Sequence, residues 1–484
     1  MQLLRQILRR QVRSAFQVAV IDDQRTWRGI DLLGGALHLA RHIESGSSAE
    51  RIGVMLPTSG MFPVALLAGW LLGRTVVPLN YLLSSDEIAF ILDDADLDAV
   101  VTVGPLVKMV GELPTRVRQI RLDELAFRGL PPLRLPRRRN EDFVAVLLYT
   151  SGTSGRPKGV MLTAANLAAN VSQCVEWAGF GRSDVMLGVL PQFHSFGLTV
   201  LTLLPLAVGC KAVYTARFSP ARILDLLRTH RPTAFIAIPS MYHALRNAKS
   251  AKAEDFASLR YVVSGAEPLP DAVAAAFRER FGVTINEGYG LTETAPVTNW
   301  CRPQEHRPHS VGPALPRINI RIVGPDGRRM GPDEEGEVRI HGPNVMRGYH
   351  GLPELTASEF DADGYFCTGD IGRLDRDGHL FITGRLKEML IIAGENVFPR
   401  EIEEALNEHP AVRDSAVIGK PDPGRGEVPI AFLELEDGST VDESSLRAHC
   451  RERLPQWKIP REFKIVEKLP RTPTGKILRR ELKP

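Results

Sequence analysis

An unbroken apolar run, Phe143-Val144-Ala145-Val146-Leu147-Leu148, leads straight into Tyr149-Thr150-Ser151-Gly152-Thr153-Ser154-Gly155-Arg156-Pro157-Lys158-Gly159. The run reads as a buried strand. The stretch after it is built of glycines and hydroxyls. Glycines let backbone N–H groups converge into a nest for anions, hydroxyls add donors for phosphate oxygens, and Lys158 adds a charge. The order of a Walker A loop, in which Gly-Lys-Ser/Thr follows a first glycine by four residues, is absent. Composition alone leaves the stretch between a phosphate cradle and a surface loop of small residues.

What surrounds the run decides the fold class. Residues 52–56, 75–79 and 99–103 read as short strands, and 62–72 and 85–94 as helices, the second opened by Ser84, Ser85 and acids. Strand–helix–strand alternation predicts an α/β domain with a largely parallel sheet. The Pro- and Arg-rich residues 130–140 read as a solvated linker. A second α/β region is expected from about 212 to 287, then β-type segments over 311–384, with Asp326-Gly327 and Asp377-Gly378 as turns. The last hundred residues predict a helix over 399–407, strands over 415–418 and 430–435, and a helix over 443–453. That is a small α+β domain. At 484 residues the chain exceeds one ordinary core.

Charge and cysteines exclude several functions. Lys and Arg total 60 against 57 Asp and Glu, a net charge of +3, which gives no electrostatic case for nucleic acid. The 5 cysteines lie far apart without metal-ligand spacing, so a reducing, cytoplasmic setting is expected. The apolar stretches 61–73 and 196–210 fall short of the roughly 20 residues of a membrane span. At the start, Leu3, Leu4, Ile7 and Leu8 recur at helical spacing among Arg5, Arg9, Arg10 and Arg13. A transit peptide or a helix in peripheral contact with a membrane is one reading. A first helix docked on the domain is the expectation, because the segment runs directly into the strand-like residues 18–21.

Further motifs follow in order: Pro191-Gln192-Phe193-His194-Ser195-Phe196-Gly197, Ser264-Gly265-Ala266-Glu267, Gly288-Tyr289-Gly290-Leu291-Thr292-Glu293-Thr294, Gly364-Tyr365-Phe366-Cys367-Thr368-Gly369-Asp370, Gly384-Arg385-Leu386-Lys387-Glu388, Gly394-Glu395-Asn396-Val397-Phe398-Pro399 and Pro473-Thr474-Gly475-Lys476. With the loop at 149–159 they resemble the adenylate-forming superfamily of acyl-CoA synthetases, peptide-synthetase adenylation domains and luciferases. The resemblance spans essentially the whole chain. It implies a large N-terminal domain over 1–386, of stacked α/β subdomains plus a β-rich segment. A small mobile C-terminal α+β domain over 387–484 would carry the catalytic lysine.

The resemblance also implies ATP and Mg2+. Thr150, Ser151, Gly152, Thr153, Ser154 and Gly155 would hold the β- and γ-phosphates. Lys158 would add charge or tether the loop. Gly265, Ala266 and Glu267 would form the adenine-side turn, and Glu287, Gly288, Tyr289, Gly290 and Thr292 would complete the nucleotide site, with Tyr289 offering its ring to adenine. Glu293 and Thr150 would bind Mg2+. Asp370, assisted by Arg385, would bind the ribose. Lys476 would bridge carboxylate and α-phosphate during adenylation, and Lys387 would be the hinge. His194 would gate or position the acyl group, without a metal.

Substrate and acceptor are less constrained. Residues 237–241, 262–264 and 295–297 are apolar, and no Asp accompanies His194 to pair with an amine. A medium- or long-chain fatty acid is therefore expected, with an aryl acid as the alternative. Coenzyme A is the expected thiol. A phosphopantetheine on an acyl carrier protein is the alternative, with Arg451, Arg453, Arg461, Arg479 and Arg480 as its docking surface. A non-catalytic nucleotide-binding homologue is disfavoured by intact Glu293, Asp370 and Lys476.

Overall fold

The computed structural model describes residues 1–127, 129–151, 156–471 and 475–484, Ser151 by its backbone. Two large sheets make up most of the chain. One has seven strands. Arg51–Val54, Thr75–Pro78, Ala99–Thr102 and Arg118–Arg121 pair in parallel within it. The four residues of Thr75–Pro78 and of Ala99–Thr102 are all buried, as strands covered on both faces must be. The helix Ser85–Asp94 starts where Ser84 and Glu87 form a reciprocal capping box.

The second sheet has eight strands. Its parallel centre is Lys211–Tyr214, Val185–Gly188, Ala234–Ala237 and Tyr261–Ser264. It begins at Val185, earlier than the expected 212, and it takes in the start of the chain: Val18–Ile21 pairs in parallel with Lys211–Tyr214. No local pattern marks that pairing, because the partners are almost two hundred residues apart. Helices Gln2–Arg13, Gly29–Gly46, Met61–Leu71 and Ala164–Ala178 contribute to one apolar core reaching both sheets.

The N-terminal helix is part of that core. Leu3, Leu4 and Ile7 are buried, and Gln6 and Gln11 donate to the carbonyls of Ala207 and Leu206. The apolar stripe is thus spent on protein, as expected of a first helix docked on the domain. Among the described residues no helix is long and apolar enough to cross a membrane. Residues 130–140 carry no regular structure but are tied down, with Arg137 N–H donating to Leu71 O at 2.9 Å and Arg139 Nε to Gly73 O at 2.9 Å.

A four-stranded antiparallel sheet follows, from Asn319–Val323 to Leu380–Arg385. Gly378, at φ +81°, turns its last hairpin where Asp377-Gly378 predicts one. After the short turn Leu386–Glu388, the strand Leu390–Ile392 belongs to a different, five-stranded sheet. That sheet carries the helices Pro399–Asn407 and Glu443–Arg451 around a separate core of Ile392, Ile402, Leu406, Leu433 and Leu446. Its long hairpin, Val412–Asp422 with Gly426–Leu435, extends well beyond the predicted 415–418 and 430–435. The observed architecture is α/β with a smaller α+β unit at the C-terminal end.

Candidate active site

A cavity of about 1300 Å³ lies between the two units. It opens at the carboxyl ends of Tyr261–Ser264 and Asn286–Gly290, where parallel sheets commonly hold ligands. The strand Val144–Ser151 forms one wall, but it returns at once as the antiparallel Pro157–Thr163, with Thr150 opposite Lys158. Lys158 therefore stands on a strand rather than in the loop. Gly152, Thr153, Ser154 and Gly155 lie outside the described residues, as does the Ser151 side chain.

The strand Asn286–Gly290 brings its motif to the cavity through close packing. A Cβ on Gly290 would stand 2.0 Å from the Pro296 carbonyl oxygen, so only glycine fits there. Gly288, Tyr289, Gly290, Thr292 and Glu293 all line the cavity, as do Gly265, Ala266 and Glu267. Tyr289 is anchored by its hydroxyl, which donates to Asp370 Oδ2 at 2.6 Å. Arg385 Nε donates to Asp370 Oδ1 at 2.6 Å. Three motifs distant in sequence thus meet at one carboxylate, whose side chain is 5% exposed. Burial and the Asp370 carboxylate push the Tyr289 phenol far above its usual range. Asp370 adjoins the cavity through Gly369 and Arg385 rather than lining it.

Two expected nucleotide residues are placed differently. Glu287 does not line the cavity; its Oε2 accepts from Leu269 N–H at 3.2 Å, bracing the turn that presents Gly265 to Glu267. Glu267 faces the C-terminal unit. It accepts the Ile477 backbone N–H and sits near Arg471 and Lys476, and burial pushes its carboxyl up to about 7.

The carboxylate of Glu293 accepts from the Tyr349 hydroxyl at 3.0 Å, and its backbone carbonyl from Met346 N–H at 2.7 Å. Lys158 Nζ lies 5.4 Å from the centre of the same Tyr349 ring. That places the ammonium within reach of the ring face. Tyr349 was not legible in the sequence, since only the pairing of Gly348–Tyr349 with Val160 and Met161 brings it here. Among the described residues no group of three or more His, Cys, Asp or Glu could hold a metal. Glu293 and Thr150 offer a pair of oxygen donors, which suits Mg2+ that keeps phosphate and water ligands.

Lys158, Arg385, Lys387 and Lys476 all line this cavity. The Lys476 side chain is open to the cleft yet ringed by protein. That burial, and then Arg385, lower its pKa, against the pull of Glu388, Asp370 and Glu267. These cations stand among carboxylates, with Asp370 paired to Arg385 beside the cavity, and cationic side chains of this kind suit a polyphosphate. His194 caps the helix Ser195–Leu198, its Nδ1 accepting Phe196 N–H at 3.3 Å. Burial and Lys476 drive the imidazole down to about 4, so at neutral pH it is uncharged and carries its proton on Nε2.

The apolar end of the cavity is walled by Phe180, Val200, Ile236, Val263, Val297 and Trp300. Of the expected acyl segments, 262–264 and 295–297 contribute, through Val263, Pro296 and Val297. Segment 237–241 does not. Ile238 instead meets the C-terminal loop, its Cδ1 2.9 Å from where a Cβ on Gly475 would lie. Phe180, Val200 and Trp300 lie outside the segments expected to line the acyl site. The proposed arginine docking surface is largely neutralised: Arg453 pairs with Glu408, Arg461 with Asp422, and Arg479 with Glu403.

Comparison with known proteins agrees with this geometry. Residues 8–350 match the model of the AMP-binding enzyme family, and 401–476 match the AMP-binding enzyme C-terminal domain. The long-chain-fatty-acid–CoA ligase of Bacillus subtilis (strain 168) is 33% identical over 93% of this chain and 89% of the relative. A feruloyl-CoA synthase of Amycolatopsis sp is 34% identical over 90% of this chain and 88% of the relative. The structure of ATP-bound MatB from Rhodopseudomonas palustris superposes with a TM-score of 0.89, at 30% identity over 98% of this chain and 97% of that one. The apo form of the same enzyme gives 0.79. The chain belongs to the AMP-binding enzyme family, and it is an AMP-forming acid–thiol ligase that makes acyl- or aryl-CoA by way of an adenylate.

Proposed function

We propose that the protein converts a medium- or long-chain fatty acid and ATP to an acyl-adenylate, then transfers the acyl group to coenzyme A. The observation that carries this reading is one cavity with cations at one end and an uncharged apolar wall at the other. Lys476 and Arg385 offset the charge that gathers as a carboxylate oxygen attacks the α-phosphorus and pyrophosphate departs. Lys158 steadies Tyr349 beside Glu293, and Glu293 with Thr150 holds Mg2+, which when bound neutralises phosphate charge. Asp370 fixes Tyr289 and Arg385 around the nucleoside. Neutral His194 offers Nε2–H without adding another cation.

Residues 1–386 act as the adenylation domain, and 387–484 rotate about Lys387 after the first half-reaction. Lys476 withdraws, and residues 394–399 form the path along which the thiol reaches the acyl carbonyl and displaces AMP. The exclusion of water protects the adenylate from hydrolysis. An aryl acid is the second reading, favoured by the aromatic wall of Phe180 and Trp300, whose rings stack at 5.9 Å.

Pyrophosphate release from ATP and Mg2+, measured across fatty, aryl and amino acids with and without coenzyme A, tests the proposal. Release with fatty acids that coenzyme A turns into steady turnover is the expected outcome. Turnover only with a phosphopantetheinylated carrier protein would reassign the acceptor. Absence of release with every acid would overturn the reading.

A further inference from the structure

The apolar end of the cavity contains a polar atom that the reaction above leaves unused. Trp300 closes the strand Val297–Trp300, lines the cavity and is 5% exposed. Its indole N–H is buried and meets no acceptor. The ring is held in place, since Phe180 stacks on it at 5.9 Å and Tyr261 meets it edge-on at 5.1 Å. Neither accepts it: Phe180 has no acceptor on its ring, and the Tyr261 hydroxyl, which donates to the Ala178 carbonyl, makes no bond with the indole N–H.

The pyrrole edge of the indole lies beside Gly288, which lines the cavity. Trp300 stands opposite Gly288 in the strand pairing. A Cβ on Gly288 would lie 3.9 Å from Trp300 Cδ1, the carbon bonded to Nε1, and 3.7 Å from Val263 Cγ1. Gly288 and Val263 both line the cavity. Glycine at 288 therefore keeps a side chain away from this edge of the indole.

A buried donor without a partner is costly to keep, and tryptophan in such a place normally finds one. We propose that Trp300 is a specificity-determining residue, donating its N–H to an oxygen near the far end of the acid. This rests on the ligase reading and narrows its substrate. The acid has an apolar body and, away from its carboxylate, a neutral acceptor such as a hydroxyl, ether or ketone oxygen. A second carboxylate is excluded, because Phe180, Val200, Ile236, Val263 and Val297 offer a buried charge no counter-ion. Hydroxy- or oxo-fatty acids and hydroxy- or alkoxy-aryl acids share this chemistry.

Acid-dependent pyrophosphate release decides the matter, using matched pairs that differ only in the distal oxygen. One pair is a medium-chain fatty acid and its hydroxylated form; the other is cinnamate and its 4-methoxy form. Each is assayed with the wild type and with Trp300→Phe, which keeps the ring and loses the N–H. In the pair whose body fits, the wild type should favour the oxygenated acid by about tenfold in kcat/KM, the size of one buried hydrogen bond. Trp300→Phe should erase that preference, bringing the oxygenated and plain acids to equal kcat/KM. Whichever pair shows the effect identifies the body as alkyl or aryl. Equal kcat/KM within both pairs for the wild type overturns the proposal even if the variant fails to fold, and so does a preference that survives in Trp300→Phe. Both leave the ligase reading standing, whereas no release with any acid removes that reading and this proposal with it.

Discussion

Asp370 accepts Tyr289 and Arg385 at once, and this changes what each motif residue does. The sequence offered an adenine-stacking ring and a ribose acceptor as separate parts. The structure makes them one hydrogen-bonded unit, whose spare lone pairs remain for a ligand. Glu267 shows a similar reassignment, with a consequence for pH. Burial raises its carboxyl from 4.5 to about 7, against the opposing pull of Arg471 and Lys476. The folded chain thus holds this proton more tightly than the unfolded chain. Its contribution to stability is complete below 4.5 and is lost as pH rises through about 7. Glu267→Gln keeps the neutral form at every pH. Its stability relative to wild type, from urea unfolding of the unliganded protein, should therefore rise between pH 5 and pH 8. The gain should be on the order of 1–2 kcal/mol, discounted for solvent in the cleft. An identical difference at both pH values would remove Glu267 as the titrating group.

At the scale of single elements, local chemistry was read well where it is self-contained. Ser84 and Glu87 cap their helix reciprocally, and Gly378 supplies the positive φ its turn requires. Lys158 was misplaced because a hairpin partner is a tertiary fact: Pro157–Thr163 pairs back on Val144–Ser151 and carries the lysine out of the loop. The N-terminal helix was ambiguous for a related reason. An amphipathic, arginine-bearing helix suits a membrane surface or a protein groove, and only its direct run into residues 18–21 favours the groove. Its buried Ile7, at 0% exposure, resolves that choice. Ile7→Ala should lower the unfolding free energy by about 2–4 kcal/mol in urea titrations. A change below about 0.5 kcal/mol, the range of surface substitutions, would mean the helix is not seated in the core.

On the scale of the whole molecule, the C-terminal unit stands over the cavity with Lys476 inside it. Arg246 of the larger unit reaches Glu436 of the smaller at 3.3 Å, and Glu267 meets the backbone of Ile477. If the smaller unit alternates between two orientations, Lys476 serves only the first. Lys476→Ala should then lower acid-dependent ATP–pyrophosphate exchange by about 100-fold or more. Thioester formation from chemically prepared acyl-adenylate should stay within a few-fold of wild type. Equal losses in both half-reactions would contradict the rotation.

The sequence by itself determined the α/β class, the order of the motifs and the family they mark. Those properties reside in local patterns, such as apolar periodicity, caps, turn glycines and short polar motifs, which a chain displays before it folds. Only the tertiary structure decided that Val18–Ile21 joins the second sheet, that Tyr349 supports Glu293, and that Phe180 and Trp300 wall the acyl end. Each of these depends on packing between segments far apart in the chain. A lone tyrosine or tryptophan carries no mark of the partner that burial will give it, or of the donor that burial will leave without one.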